Sequence, residues 1–180
     1  MSPMIRRPPG IEISLLGFLR DGPEHGYQIH QMVSDPAGLG LIWNLKQSQS
    51  YSLLAKLEKD GYVSSVIQNQ DPHPPRRVYR LTATGRKVYL EWLTSPVAVP
   101  RLIRQEFLAK LYLLKGERES IRLLVDRQTV ICKRWQAGFI QQSARFEPGS
   151  FGWLTFQYRI NHNASIMAWL ENLQTEQPST

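Results

Sequence analysis

Apolar residues recur at helical spacing from the first stretch of the chain onward. Ile11, Leu15, Phe18 and Leu19 return every three or four positions, which predicts a short helix over 11–20. Asp21-Gly22-Pro23 stops it, because glycine suits a C-terminal cap and proline cannot extend the ladder. Tyr27, Ile29, His30 and Val33 predict a second helix over 24–34, and Asp35-Pro36-Ala37-Gly38-Leu39-Gly40 reads as a loop. A third helix is expected at about 47–60, with Tyr51, Leu54 and Leu57 on one face and Gly61 behind it. The period then changes. Tyr62-Val63-Ser64-Ser65-Val66-Ile67 suits a strand, and 68–75, with Pro72, Pro74 and Pro75, suits a loop. Arg76-Arg77-Val78-Tyr79-Arg80-Leu81 alternates basic with apolar residues, as a strand with one face in water does. The two strands make a hairpin with a proline-stiffened tip, and Thr82 is a candidate N-cap for a helix over 85–93.

Beyond this the pattern is helical. Thr94-Ser95-Pro96-Val97-Ala98-Val99-Pro100 is uncharged and bounded by prolines, so it reads as a linker. Ile103, Phe107, Leu111 and Leu114 predict a helix over 101–115, broken by Gly116. Ile121, Val125, Cys132, Trp135, Phe139 and Phe146 form a near-heptad stripe over 117–146, interrupted by Gln128 and Gln142, of the kind that packs on another long helix. After the turn at Glu147-Pro148-Gly149, a last helix over 150–173 carries Trp153, Phe156, Ile160, Met167 and Leu170 along one side. Faces this broad must be covered by the first domain or by a second copy, and a two-fold pairing is the expectation. There is no internal repeat or low-complexity tract.

Three helices, a basic hairpin and a further helix are the order of a winged helix. The expected fold class is therefore mainly α with a small β-hairpin. An N-terminal winged helix-turn-helix at 1–93 precedes a C-terminal antiparallel helical dimerisation region at 101–180, with 94–100 as linker. Composition adjusts this picture little. A hydrophobic content of 42% and a charged content of 21% suit a folded soluble protein. No apolar run approaches the ~20 residues of a membrane span, and the N-terminus lacks the apolar core of a secretion signal, so a cytoplasmic protein without membrane contact is expected. One cysteine, Cys132, leaves no intrachain disulfide and no cysteine-based zinc site.

Charge adds a partner. The net charge of +7 favours a polyanion, and the excess concentrates at 46–90, where eight basic residues face three acidic ones. Catalytic and cofactor chemistry find no support: His25, His30, His73 and His162 show no metal-ligand spacing, and there is neither a glycine-rich phosphate loop nor a Ser/His/acid signature. No cofactor and no enzymatic activity are expected.

Four segments in register resemble the PadR family of winged-helix regulators: Gly22-Pro23-Glu24-His25-Gly26-Tyr27-Gln28-Ile29 in the second helix; Tyr51 through Val63 in and after the third; Arg76 through Gly85 in the second wing strand and the turn that follows; and Arg104-Gln105-Glu106-Phe107-Leu108-Ala109-Lys110-Leu111-Tyr112 at the start of the C-terminal region of longer members. They span about residues 11–112. The resemblance implies a homodimeric repressor, less often an activator, acting on inverted-repeat duplex operators and sometimes released by a small aromatic ligand. Two departures stand out. Many relatives carry a basic pair where this chain has Ala55-Lys56, and often arginine at the wing tip where His73 stands among prolines.

The residues themselves suit that chemistry. Gln47, Ser48, Gln49 and Ser50 open the third helix, where glutamine can pair with an adenine edge and serine with a base or phosphate. Tyr51, an aromatic at the helix start, suits a phosphate contact through its hydroxyl, with a core position as the other reading. Lys56, Arg76, Arg77 and Arg80 suit phosphate contacts, which position without specifying. Alternation puts Arg76, Val78 and Arg80 on one face of the wing strand and Arg77, Tyr79 and Leu81 on the other, so both sets cannot meet one backbone. Arg6 and Arg7 read as part of a disordered tail, with a minor-groove arm as the other reading. Phe107, Leu111, Trp135, Phe139, Trp153, Phe156 and Trp169 form either a pairing face or a flat pocket for an aromatic effector; His162 reads as a surface residue. An alternative function is a degenerate winged helix serving protein contacts without strong DNA binding. RNA binding is less well served, since no exposed aromatic and basic platform is evident.

Overall fold

The structure is a computed structural model and describes residues 10–70 and 73–175. Arg6 and Arg7 lie outside the described residues. The chain forms two compact units: Met1–Leu93 with Arg104–Leu113, and Thr94–Ile103 with Leu114–Thr180.

The first unit follows the order read from the pattern, with α1 (Gly10–Gly17), α2 (Gly26–Val33), α3 (Gln47–Lys59), the hairpin β2 (Val63–Gln70) and β3 (His73–Leu81), and α4 (Ala83–Thr94). Its core holds Leu15, Leu16, Leu19, Ile29, Val33, Leu54, Leu57, Tyr89 and Leu93, all buried. Glu24 and His25 depart from the expected helix. They form a short strand, β1, paired antiparallel with Tyr79 and Val78, so the sheet runs β1-β3-β2. Pro23 sends the chain out extended, and the Gln28 side chain accepts the His25 N–H (3.4 Å), so the helix starts only at Gly26. The hairpin also outruns its prediction. Pairing continues from Val63↔Leu81 through Gln68↔Arg76 to Gln70↔His73, with a register shift between Gln68 and Gln70. Prolines are tolerated there because the outer half of β3 has only β2 beside it, and an edge strand can lack N–H donors on its free side.

Thr82 caps α4 as the sequence suggests: its Oγ1 accepts the Gly85 N–H (3.0 Å) and donates to the Gly61 carbonyl (2.8 Å). The expected single helix over 101–115 is instead a 3₁₀ turn at Pro100–Leu102, a wide π turn at Ile103–Phe107 and a short α5 (Leu108–Leu113). α5 and the end of the π turn pack within the first unit, where Phe107, Ala109 and Lys110 are buried. Lys110 is held there by Glu106 (3.1 Å) and lies over the Trp92 ring (5.0 Å), whose indole N–H donates to Glu106 (2.9 Å).

The second unit is the hairpin of α6 (Arg118–Ser143) and α7 (Phe151–Thr175). The two run antiparallel, as shown by the pairs Ser143 with Gln157, Gln136 with Asn163 and Asp126 with Gln174. Leu124, Val125, Cys132, Ile166 and Leu170 are buried. The segment read as a linker packs here. Val97 is buried, its N–H donates to Gln128 Oε1 (2.7 Å) and its carbonyl accepts from Gln128 Nε2 (3.4 Å). Gln128, an interruption of the apolar stripe in sequence, thus satisfies a backbone that burial would otherwise leave unpaired.

Candidate nucleic-acid interface

The first turns of α3 present an exposed polar row. Gln47, Ser48, Gln49 and Ser52 are exposed, and Tyr51 is 37% exposed. The helix entry is organised locally: the Lys46 N–H donates to Gln49 Oε1 (2.9 Å), and Ser52 returns its hydroxyl to the Ser48 carbonyl (2.9 Å). Gln49 is therefore partly occupied as a cap, whereas Gln47 and Ser48 stand outside it. The helix N-terminus adds a positive dipole end beside them, favourable to phosphate.

Ser50 does not join this row. It is wholly buried, hydrogen-bonded to His30 Nδ1 (3.0 Å), which in turn approaches Ser34 Oγ (3.3 Å). It ties α3 to α2, so its hydroxyl is placed for the helix-turn-helix core and not for a groove. Tyr51 is half committed in the same way. A Cβ at Gly26 would come within 2.7 Å of its ring and 3.1 Å of the Tyr79 ring, so these two aromatics close over Gly26 while the Tyr51 edge stays in solvent.

The cations divide into free and bound. The Lys56 ammonium donates to both carboxylate oxygens of Glu12 (2.7 and 2.8 Å), and the Glu12 side chain is 6% exposed. Arg77 donates to Glu58 (3.3 Å), which also accepts from the Ser65 hydroxyl. Arg76 and Arg80 are exposed on the opposite face of β3, with no ion-pair partner among the described residues. The alternation of the wing strand thus separates two free guanidiniums from one that is internally matched. The Tyr79 phenol, on the Arg77 face, is pushed up by burial, an effect the Arg77 guanidinium opposes. The counterions Glu12 and Glu58 carried no sequence signal, since they lie 44 and 19 residues from the cations they hold. Lys46 and Ser52, exposed beside the row, could have been found from helical spacing alone. The His73 side chain is outside the described residues.

The second set of candidates is split between the units. Phe107 is wholly buried in the first, and its burial gives it a core role there in place of a pairing face. Leu111 is half-buried in the same unit. Trp135, Phe139, Trp153, Phe156 and Trp169 are half-buried along the α6–α7 hairpin. Phe156 stacks on Phe146 (5.7 Å) and meets Phe139 (6.4 Å), with Arg159 over its ring (5.1 Å). Burial pushes the Cys132 thiol up. Among the described residues, no cluster of His, Cys, Asp and Glu is suited to a metal ion, and no helix is long and apolar enough to cross a membrane.

Residues 15–91 match the sequence model of the transcriptional regulator PadR-like family. Over this stretch the chain is similar to PadR-like transcriptional regulators. Its helix-turn-helix is α2 and α3, and its wing is β2 and β3. The negative transcriptional regulator PadR of Bacillus subtilis (strain 168) is 25% identical over 174 residues, covering 91% of this chain and 94% of that protein. Among solved structures, Bacillus subtilis PadR in complex with operator DNA is 25% identical, covers 91% of this chain and 97% of its own, and gives a TM-score of 0.47. The same protein in complex with p-coumaric acid is 24% identical, covers 92% and 95%, and gives 0.42. PadR-like proteins are regulators of transcription and not enzymes.

Proposed function

We propose that this chain is a repressor that reads an inverted-repeat DNA operator as a homodimer in the cytoplasm. The observation that carries the reading is the exposed row Gln47, Ser48, Tyr51 and Ser52 on α3, together with the exposed guanidiniums of Arg76 and Arg80 on the wing. The row has the chemistry of base-edge readout, and the arginines have that of backbone positioning. The pairing role falls to the α6–α7 unit, whose outer faces leave Leu123, Val130, Leu154 and Tyr158 between about half and two-thirds exposed, more apolar surface than a lone hairpin normally shows to water.

Selection of bound duplexes from a random library, followed by titration of the winner against salt, tests this. An enriched inverted repeat with a steep salt slope supports the reading. Arg76→Ala and Arg80→Ala should each weaken binding across sequences and reduce the slope by about 0.9, while Lys56→Ala should leave the slope unchanged because its charge is already matched by Glu12. Absence of enrichment, with flat weak binding, overturns it in favour of a winged helix that serves protein contacts. Adding p-coumaric acid to the same titration tests release by a small aromatic ligand.

A further inference from the structure

The tip of the α6–α7 hairpin carries a hollow and, beside it, the most exposed large apolar side chain of the described residues. The hollow has a volume of about 550 Å³ and is walled by Ile140, Phe146, Trp153 and Ile160. Ser143 and Gln157 form part of its lining and are hydrogen-bonded to each other (3.1 Å). Its wall is preformed. Phe146 is stacked on Phe156 and lies so close over Gly152 that a Cβ there would strike the ring. Phe151, the first residue of α7, is 86% exposed, and Leu154 and Tyr158 continue its stripe at 52% and 68%. On the rim stand Arg145 and Glu147, both exposed and without an ion-pair partner among the described residues.

A surface that holds one positive and one negative charge two residues apart, a knob and a hole is complementary to a copy of itself. In a two-fold contact each residue meets the counterpart of its own partner, so a knob beside a hole on one copy faces a hole beside a knob on the other. The same operation sets Arg145 against Glu147. A different protein would need all four features mirrored, whereas a second copy supplies them by symmetry. The stripe Phe151, Leu154 and Tyr158 carries the contact from the tip along α7, giving the anchor a larger apolar area around it.

Resting on the homodimer reading above, we propose that the occupant of this hollow is Phe151 of a second copy, and that the α6–α7 tip is the anchor of the dimer, with Arg145 and Glu147 setting its register. Anchors of this kind, an aromatic seated in a preformed pocket, dominate the energy of an interface while surrounding contacts exclude water.

The experiment is sedimentation equilibrium of the full chain, with thermal melting followed by circular dichroism to show that each variant folds. Phe151→Ser should weaken dimerisation about tenfold or more. Arg145→Glu should weaken it as well, by setting like charges together, and the double swap Arg145→Glu with Glu147→Arg should restore most of the loss. Leu41→Ser, at an exposed apolar residue of the first unit, should leave the dimer within about twofold of wild type. A wild-type dimer that Phe151→Ser and Arg145→Glu leave intact, or a double swap no better than Arg145→Glu alone, overturns the tip as anchor while leaving the homodimer standing. A wild-type chain that stays monomeric up to about 100 μM overturns both.

Discussion

Lys56 shows how a residue suited to one role by its type can be held in another by its neighbours. Its ammonium is bound by both oxygens of a carboxylate that is almost out of solvent. Removing it leaves Glu12 charged and buried without its partner, so Lys56→Ala should cost about 1–2 kcal/mol in unfolding free energy, the lysine itself being half exposed. Replacing Glu12 by Gln in the same chain should recover part of that loss, as urea unfolding of the two variants would show. The neutral buried side chains act at the other end of the pH scale. Cys132 and Tyr79 both have raised pKa values, mainly because burial penalises their anions. The folded state therefore holds them protonated more firmly than the unfolded chain does. Their contribution is whole below the ordinary values, near 9 for the thiol and 10 for the phenol, and is lost as pH rises through the raised ones. Stability should fall across the alkaline range, with Cys132→Ala flattening the earlier part of the curve and Tyr79→Phe the later. An unaltered curve in both variants would show that other groups govern the decline.

At the scale of elements, the tightest juncture is where α4 meets the turn into β2. A Cβ at Gly85 would run into the Tyr62 backbone carbonyl, which has no rotamer by which to yield. Gly85→Ala should cost about 3 kcal/mol, seen as a large drop in melting temperature. Helices α2, α3, α6 and α7, the hairpin and the Thr82 cap were legible in the sequence because each is written locally, in spacing, a period change or a capping residue. Three features were not. β1 exists only because β3 offers it a free edge at Val78 and Tyr79, residues far along the chain. The break in the helix over 101–115 follows from where Phe107 and Lys110 must be buried, which no local pattern states. In the candidate interface, the type of each residue was readable, but its state was not. Ser50, Lys56 and Arg77 differ from Ser48, Arg76 and Arg80 only through partners on other elements.

For the molecule as a whole, the boundary drawn by composition and the boundary drawn by packing differ. The proline-bounded stretch 94–100 looks like a hinge, yet Val97 is clamped by Gln128, and 104–113 belongs with the first unit. A fragment ending at residue 93 should therefore melt well below one ending at 113, since it lacks Phe107 and leaves Trp92 without its carboxylate acceptor. Thermal melts of the two fragments compare them directly, and equal melting points would argue that 104–113 adds nothing to the first unit. The wing has a consequence for the behaviour of the whole protein in solution. Val66 and Ile67 point to opposite faces of the outer hairpin and are 62% and 66% exposed, so neither face is covered and the strand edges are open. A ribbon like this invites stacking against others of its kind, and Arg76 and Arg80 on β3 stand as like charges that keep copies apart. The side chains proposed to hold a polyanion would thus also keep the protein from clumping. High salt, which screens that repulsion, is the condition in which a concentrated stock should first turn cloudy.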